Sequence, residues 1–433
     1  MVALPMKFAR KRLLPAAAVA VISAVVAGCA SSGGSAGGSG SSGGGTYPVT
    51  AGVLHAFTGQ NSFFGLNAQA ACNAAAQQVN AAGGILGSHK LSCPSFDTKG
   101  DPADAVPVTN RMLVSASHLL MVVGPDGSDI PSVLPLLERA RVPEMNTVGD
   151  PRYDTQTSPD FWRLTPSDST QAPALARYTY SKGYKKVAVV FTSDLSAQTT
   201  TAPFKATYTG LGGSIARNLT VTPDQASYQT EVAAVLAAHP QALVGEMDAR
   251  TAATFLSELR QQHGGMIPFI VTQRATQGDW APAVGPAIGN TTLARYVTAI
   301  APALSSTGTA ATTFQRAMAA VKANPFAAHN PFVASQYDGV IAFALAMDAA
   351  RSTDPSVWVT YIPKVTAASP GATVVSTYAQ GAAALKAGKT IQYAGASGPM
   401  IFNKYNTANR PYAVWTFNPA TTGWVMGQVL PGC

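Results

Sequence analysis

From Tyr47 onward, short apolar runs alternate with longer segments whose apolar positions recur at helical spacing. Val49–His55 reads as a strand and 66–81 as an Ala-rich helix, with Gly83-Gly84-Ile85-Leu86-Gly87 as its stop signal and turn. Residues 90–97 form the next predicted strand, and Asp101-Pro102 opens a helix with an acid at the cap and proline in the first turn. Leu119–Val123 is an unbroken apolar strand, 130–141 a helix and 142–146 a further strand. After Phe161-Trp162-Arg163-Leu164 the rhythm restarts with helices at 168–182, 197–211, 228–238 and 249–262. They alternate with strands at 186–192, 214–219, 242–245 and 269–272. Helices follow at about 310–324 and 335–350, and then a tail rich in Ala, Gly and Tyr that the pattern leaves unassigned. The pattern predicts an α/β fold: two similar lobes, each a doubly wound parallel sheet, with one cleft outside the carboxyl ends of the strands.

Upstream of this body, residues 1–28 read as a secretory signal, a basic stretch from Lys7 to Arg12 followed by an apolar run over 13–27. The run ends in Val26-Ala27-Gly28-Cys29, which resembles the bacterial lipobox and implies a lipid on Cys29. The remainder of 29–46 is almost wholly Gly and Ser, a flexible tether with an expected span of about 20 Å. No later window has the ~18 uninterrupted apolar residues of a spanning helix. The body is therefore expected outside the cytoplasm, tied to the outer face of the cell membrane. That compartment permits disulfides, and Cys72 in the first helix lies next to Cys93 in the following strand. A Cys72–Cys93 pair is favoured over two buried free thiols, and Cys433 has no evident partner.

Charge narrows the partners. The formal charge of +8 includes Lys7, Arg10, Lys11 and Arg12, so 25 basic residues face 21 acidic ones beyond the leader, a surplus of +4. That is too thin for nucleic acid. Catalytic motifs fail as well. Gly388-Lys389-Thr390 lacks the first Walker glycine, which is Ala383, and Gly210-Leu211-Gly212-Gly213 precedes a strand and has Ile215 in place of the third dinucleotide-loop glycine. There is no GxSxG, no HExxH and no zinc-like Cys cluster, and the six histidines are scattered. Neither an enzyme, a cofactor nor a metal is expected.

Polar residues do gather just past the predicted strand ends. They include Ser62 and Phe63, Asp126 and Ser128, Gly149 and Asp150, Ser196 and Gln198, Glu246 and Asp248, and Gln273. Any one of them suits a helix cap, but their recurrence at one sheet edge favours a ligand cleft.

The ordered set Thr58-Gly59, Phe64-Gly65, Val79-Asn80-Ala81-Ala82-Gly83-Gly84-Ile85-Leu86-Gly87, Asp101-Pro102, Phe161-Trp162-Arg163-Leu164-Thr165-Pro166, Gly183-Tyr184-Lys185-Lys186-Val187-Ala188 and Tyr337-Asp338-Gly339 resembles the branched-chain amino acid type of periplasmic substrate-binding protein. That family serves ATP-driven importers. The resemblance implies a type I binding-protein fold with three crossings, near 165, 297 and 406. Lobe 1 would then comprise 47–165 plus about 298–405, and lobe 2 166–297 plus about 406–433. It also implies a monomer that traps a small molecule and docks on a membrane permease. Ser128 matches a position that holds an amino-acid carboxylate, with Gly149 in the facing loop. The acid that pairs with the ligand ammonium in the family is replaced by Gln273, and a family Tyr by Asp248, although Glu246 or Asp248 could restore the charge. An amino acid, an amide, a small organic acid or an aromatic compound against Phe63 or Phe64 all fit this pattern. A sensor subunit with the same cleft and an exported α/β hydrolase are the alternatives.

Overall fold

The computed structural model describes residues 46–59, 62–305 and 307–430. The leader, Cys29, the tether and Cys433 lie outside the described residues. The first lobe begins with β1 (Val49–His55), α1 (Ser62–Ala81), β2 (Leu91–Ser92), β3 (Ser95–Asp97), α2 (Pro102–Ser115), β4 (Leu119–Val123), α3 (Ile130–Ala140), β5 (Glu144–Asn146) and β6 (Phe161–Arg163). These strands form a parallel sheet in the order β2-β1-β4-β5-β6, with β3 also on β1. Every residue of β1 is buried, as expected for a strand with helices on both faces. The single strand expected at 90–97 is two strands, because Pro94 has no N–H to continue the ladder. Both halves still pair with β1.

The second lobe comprises α4 (Asp168–Ser181), β7 (Lys186–Thr192), α5 (Leu195–Gly210), β8 (Ser214–Val221), α6 (Gln229–Ala237), β9 (Ala242–Glu246), α7 (Ala249–His263), β10 (Phe269–Val271), α8 (Trp280–Ile288), α9 (Asn290–Tyr296) and β11 (Val297–Pro302). The chain then returns to the first lobe as α10 (Gly308–Ala320), α11 (Pro331–Ala350), α12 (Pro355–Trp358), α13 (Ile362–Thr366), β12 (Thr373–Val375), α14 (Tyr378–Lys386), β13 (Ile391–Gly395), β14 (Gly398–Pro399), β15 (Ile401–Phe402) and β16 (Ala408–Asn409). It ends as β17 (Tyr412–Asn418) and β18 (Gly423–Val429) in the second sheet, whose order is β18-β17-β11-β10-β9-β7-β8. β17 and β18 are antiparallel additions to an otherwise parallel sheet.

Because β11 pairs with β10 and β17, the second crossing falls after Pro302 and not near Val297. The third follows β16 and leads directly into β17, later than Asn406, since Thr407 still bridges to Arg163 of the first sheet. Side chains tie the three crossings together. Arg410, 3% exposed, donates through Nη2 to the Ala303 carbonyl at 2.7 Å and through Nη1 to Ser335 Oγ at 2.5 Å. Burial lowers its pKa to about 10. Tyr412 donates to the Ser167 carbonyl in the first crossing at 3.2 Å.

The largest core joins the first sheet, α1 and α11, the last of which is buried along most of its length. A disulfide joins Cys72 of α1 to Cys93 beside β2, with Cα atoms 6.1 Å apart and a sequence separation of 21. Replacing both cysteines by alanine is expected to lower the unfolding free energy by about 3 kcal/mol, the loop-closure value for such a span. A urea midpoint unchanged by the double substitution would contradict this. Among the described residues no helix is long and apolar enough to cross a membrane.

Candidate functional site

A cavity of about 320 Å³ lies where the carboxyl ends of the two sheets face each other. Its first-lobe wall starts at His55, the last residue of β1. His55 Nδ1 donates to Asp126 Oδ1 at 2.7 Å, and Nε2 faces the Gln336 side-chain amide at 3.4 Å. The Ala56 amide donates to the other Asp126 oxygen at 2.9 Å, so that carboxylate is held at both ends. Gly124, which leads into this loop, has φ 108°, and a Cβ there would meet the Leu54 carbonyl oxygen at 2.1 Å. Only glycine allows the loop to pass β1 this closely.

Ser128 is exposed at the cavity, but its hydroxyl donates to Asp129 Oδ1 at 3.2 Å. Asp129 is fully buried at the start of α3, and its burial pushes the carboxyl pKa up. Gly149 closes the first wall. Its carbonyl accepts the Asp168 amide at 2.8 Å, and a Cβ on it would lie 2.1 Å from Asp168 Oδ1.

The second-lobe wall is acidic. Asp168, at the start of α4, is 5% exposed and accepts the Thr199 hydroxyl at 2.8 Å. Burial, reinforced by the nearby Glu246 carboxyl, raises its pKa to about 7. Glu246, at the end of β9, is also 5% exposed and accepts Ser196 Oγ at 2.8 Å and Thr272 Oγ1 at 2.5 Å. Burial raises it as well. Arg274 forks onto both oxygens of Asp279 at 2.8 and 2.7 Å, and its guanidinium stands 5.0 Å from the Phe63 ring centroid, one lobe against the other.

The cavity brings together Asp126, Ser128, Gly149, Asp150, Ser196, Glu246 and Gln273. The remaining residues expected at the site lie elsewhere. Gln198 turns back to donate to the Thr192 carbonyl at 2.7 Å, and Asp248 caps α7 by accepting the Arg250 and Thr251 amides at 3.0 and 3.1 Å. Ser62 and Phe63 open α1 outside the lining, where Phe64 faces the cavity instead. Asp150 lines the cavity while also capping the short turn that follows and pairing with Arg152 at 2.7 Å. Sequence reasoning missed His55, Asp168, Thr199, Gln277 and Phe332. Asp168 was visible only as the first residue of a helix. Phe332 comes from the start of α11, far along the chain, and carries no local signal.

A family model described as periplasmic binding protein matches residues 48–422. Solved structures with the same fold include the leucine-binding protein LivK of Thermotoga maritima, at 18% identity and TM-score 0.70, covering 88% of this chain and 98% of that one. A solute-binding protein of an R. palustris ABC transporter in complex with benzoate matches at 15% identity and TM-score 0.69, covering 88% and 96%. A fatty acid ABC transporter substrate-binding protein from Thermomonospora curvata matches at 15% identity and TM-score 0.69, covering 89% and 92%. No match is found among curated proteins.

Proposed function

Since the chain belongs to the periplasmic binding protein family, we propose that it is the extracytoplasmic receptor of an ABC importer, closing its lobes over one small polar solute and handing it to a membrane permease. The observation that carries this reading is the cavity between the two sheets, to which each lobe contributes buried polar side chains. A solute that touches both walls binds the closed form better and shifts the population toward it, whereas one gripping a single lobe shifts nothing. Asp126, Ser128, Gly149, Asp150, Ser196, Glu246 and Gln273 are the proposed contacts. Asp248 and Gln198 act behind them by fixing the start of α7 and the end of β7. The solutes named for the related structures, leucine, benzoate and fatty acid, set the size range to be screened. We assign the lipid anchor to Cys29, with the Gly/Ser segment as tether, and one copy of the chain as the working unit.

A melting screen of the mature protein against metabolites tests this function. A true ligand at 100 times its dissociation constant stabilises by about 2.7 kcal/mol, a clear rise in Tm. Gln273→Ala is expected to abolish the rise while moving the ligand-free Tm by no more than about 1 °C, because the half-buried Gln273 side-chain oxygen has no hydrogen-bond partner in the protein to lose. A screen without any saturable shift, repeated on protein from its own host, rejects the receptor reading.

A further inference from the structure

The charges around the cleft restrict what it can hold, taking the cleft as the ligand site. Among the described residues each arginine near the cavity already has an anion of its own. Arg274 is bound to Asp279, Arg152 to Asp150 and Arg163 to Asp154. Asp168 and Glu246 are different. Among the described residues neither forms an ion pair, and each accepts hydroxyl hydrogen bonds only, from Thr199 in one case and from Ser196 and Thr272 in the other. Both carboxyls line the cavity at 5% exposure, so each loses hydration, and the Glu246 charge acts on Asp168; both costs fall if a positive group enters the cavity.

Two helix starts at the cleft that could hold an anion are already capped by the chain's own acids, and a third carries a buried one. A helix start offers free amides and a partial positive charge. At α5 that position holds Asp194, which accepts the Ala197 amide at 3.1 Å, and at α7 it holds Asp248. At α3 the buried Asp129 stands at the helix start and takes the Ser128 hydroxyl, the group that would otherwise be offered to a ligand carboxylate. A carboxylate entering this cavity would meet acids on both walls and, among the described residues, no arginine without an acid of its own.

We propose that the cleft selects a small solute carrying an ammonium group and no carboxylate, with Asp168 and Glu246 as its charge partners. The inference rests on the receptor reading above. It sets the ligand apart from carboxylate solutes, and it assigns recognition to a residue pair distinct from Gln273.

The pH dependence follows from the same pair. Asp168 faces Glu246 of β9, Asp150 of the loop after β5, Arg163 of β6 and Thr199 of α5, and Glu246 faces Asp194, Ser196, Thr272 and Arg274. Without a bound cation, burial raises the Asp168 pKa to about 7. A bound ammonium favours its ionised form, so binding releases a proton below that pH and tightens as pH rises. Between pH 6 and pH 8 the affinity for an amine should increase about tenfold, since the amine itself stays protonated throughout. A carboxylate ligand would show the reverse trend.

The test is a metabolite library sorted into amines, zwitterions and carboxylates, with 3-methylbutylamine, leucine and 4-methylpentanoate as a set matched in carbon skeleton. It is combined with mass spectrometry of any metabolite retained by protein from its own host. The expected result is that the stabilising and retained compounds are amines without a carboxylate. Their affinity should rise with pH, and the Asp168→Asn/Glu246→Gln double variant should lose at least 100-fold in affinity while keeping its native circular dichroism and a Tm no lower than the parent. A carboxylate or an amino acid as the best ligand overturns the ammonium assignment but leaves the receptor function intact. A protein that retains nothing and responds to nothing in the library loses both.

Discussion

Replacing Asp338 by alanine is expected to lower the unfolding free energy by about 4 kcal/mol, the largest stability loss we anticipate from a single polar side chain in this protein. Asp338 sits on α11, fully buried, and its two oxygens accept the Tyr393 hydroxyl at 2.7 Å, the Ala396 amide at 3.1 Å, the Ser397 amide at 2.6 Å and the Ser397 hydroxyl at 2.5 Å. Without the carboxyl these donors remain buried with no acceptor, and each such group costs about 1–3 kcal/mol. The damage does not stay local. The Ala396 carbonyl accepts the Ser305 amide at 2.9 Å and the Gly395 carbonyl accepts the Ser305 hydroxyl at 3.1 Å, so the loop that Asp338 organises is the one on which the second crossing rests. Gly395 is required there, since a Cβ would lie 2.1 Å from Asp338 Oδ1. Urea unfolding should show a lower midpoint at an unchanged m-value. Asp338→Asn, which keeps acceptors on the side chain, should cost clearly less. Equal losses for the two variants would mean that the hydrogen bonds are not the source of the stability.

What could be read in advance depended on whether the information was local. β4 and β7 were legible because a strand buried on both faces is an uninterrupted apolar run. The start of α2 was legible because Asp101 and Pro102 act on neighbouring amides only. The tail was not legible. β17 takes its place by pairing with β11 across more than a hundred residues, and no short-range pattern encodes that partner. The same pairing moved the second crossing beyond its expected position. Asp126 and Glu246 were legible as cavity-lining residues because strand ends point into the cleft in any sheet of this kind. Asp248 and Gln198 show the limit of that rule. A residue past a strand end can satisfy the next helix or the strand itself instead of facing a ligand, and the two cases share one sequence pattern. Tyr337-Asp338-Gly339 carried family likeness without revealing its role, because the groups that Asp338 binds lie 55 to 59 residues away.

Changing Asn330 to aspartate should weaken solute binding by about 100-fold without unfolding the protein, through an effect on closure alone. Asn330 is 1% exposed and works at both ends of its side chain. Its Oδ1 accepts the Phe332 and Val333 amides at 2.8 and 3.2 Å, which caps α11 in the first lobe. Its Nδ2 donates to the Thr276 carbonyl at 3.3 Å and to Gln277 Oε1 at 3.1 Å, both in the second lobe beside Arg274. Aspartate preserves the cap, a role for which it is as good as asparagine. It turns the other end from a donor into a buried carboxylate oxygen that faces two acceptors, a contact worth about 3 kcal/mol of destabilisation. The lobes can escape that cost by parting and letting water reach the carboxylate, so the penalty falls on the closed form. A closed form disfavoured by about 3 kcal/mol binds with roughly 100-fold lower apparent affinity, because the solute must first restore the population it selects. Small-angle scattering of the ligand-free variant should show a larger radius of gyration than the parent, while the urea midpoint changes little. Lowering the pH should close the variant again, since protonation of the new carboxyl removes the charge that holds the lobes apart. Unchanged scattering together with unchanged affinity would show that the hydrogen bonds of Asn330 to the second lobe do not govern closure.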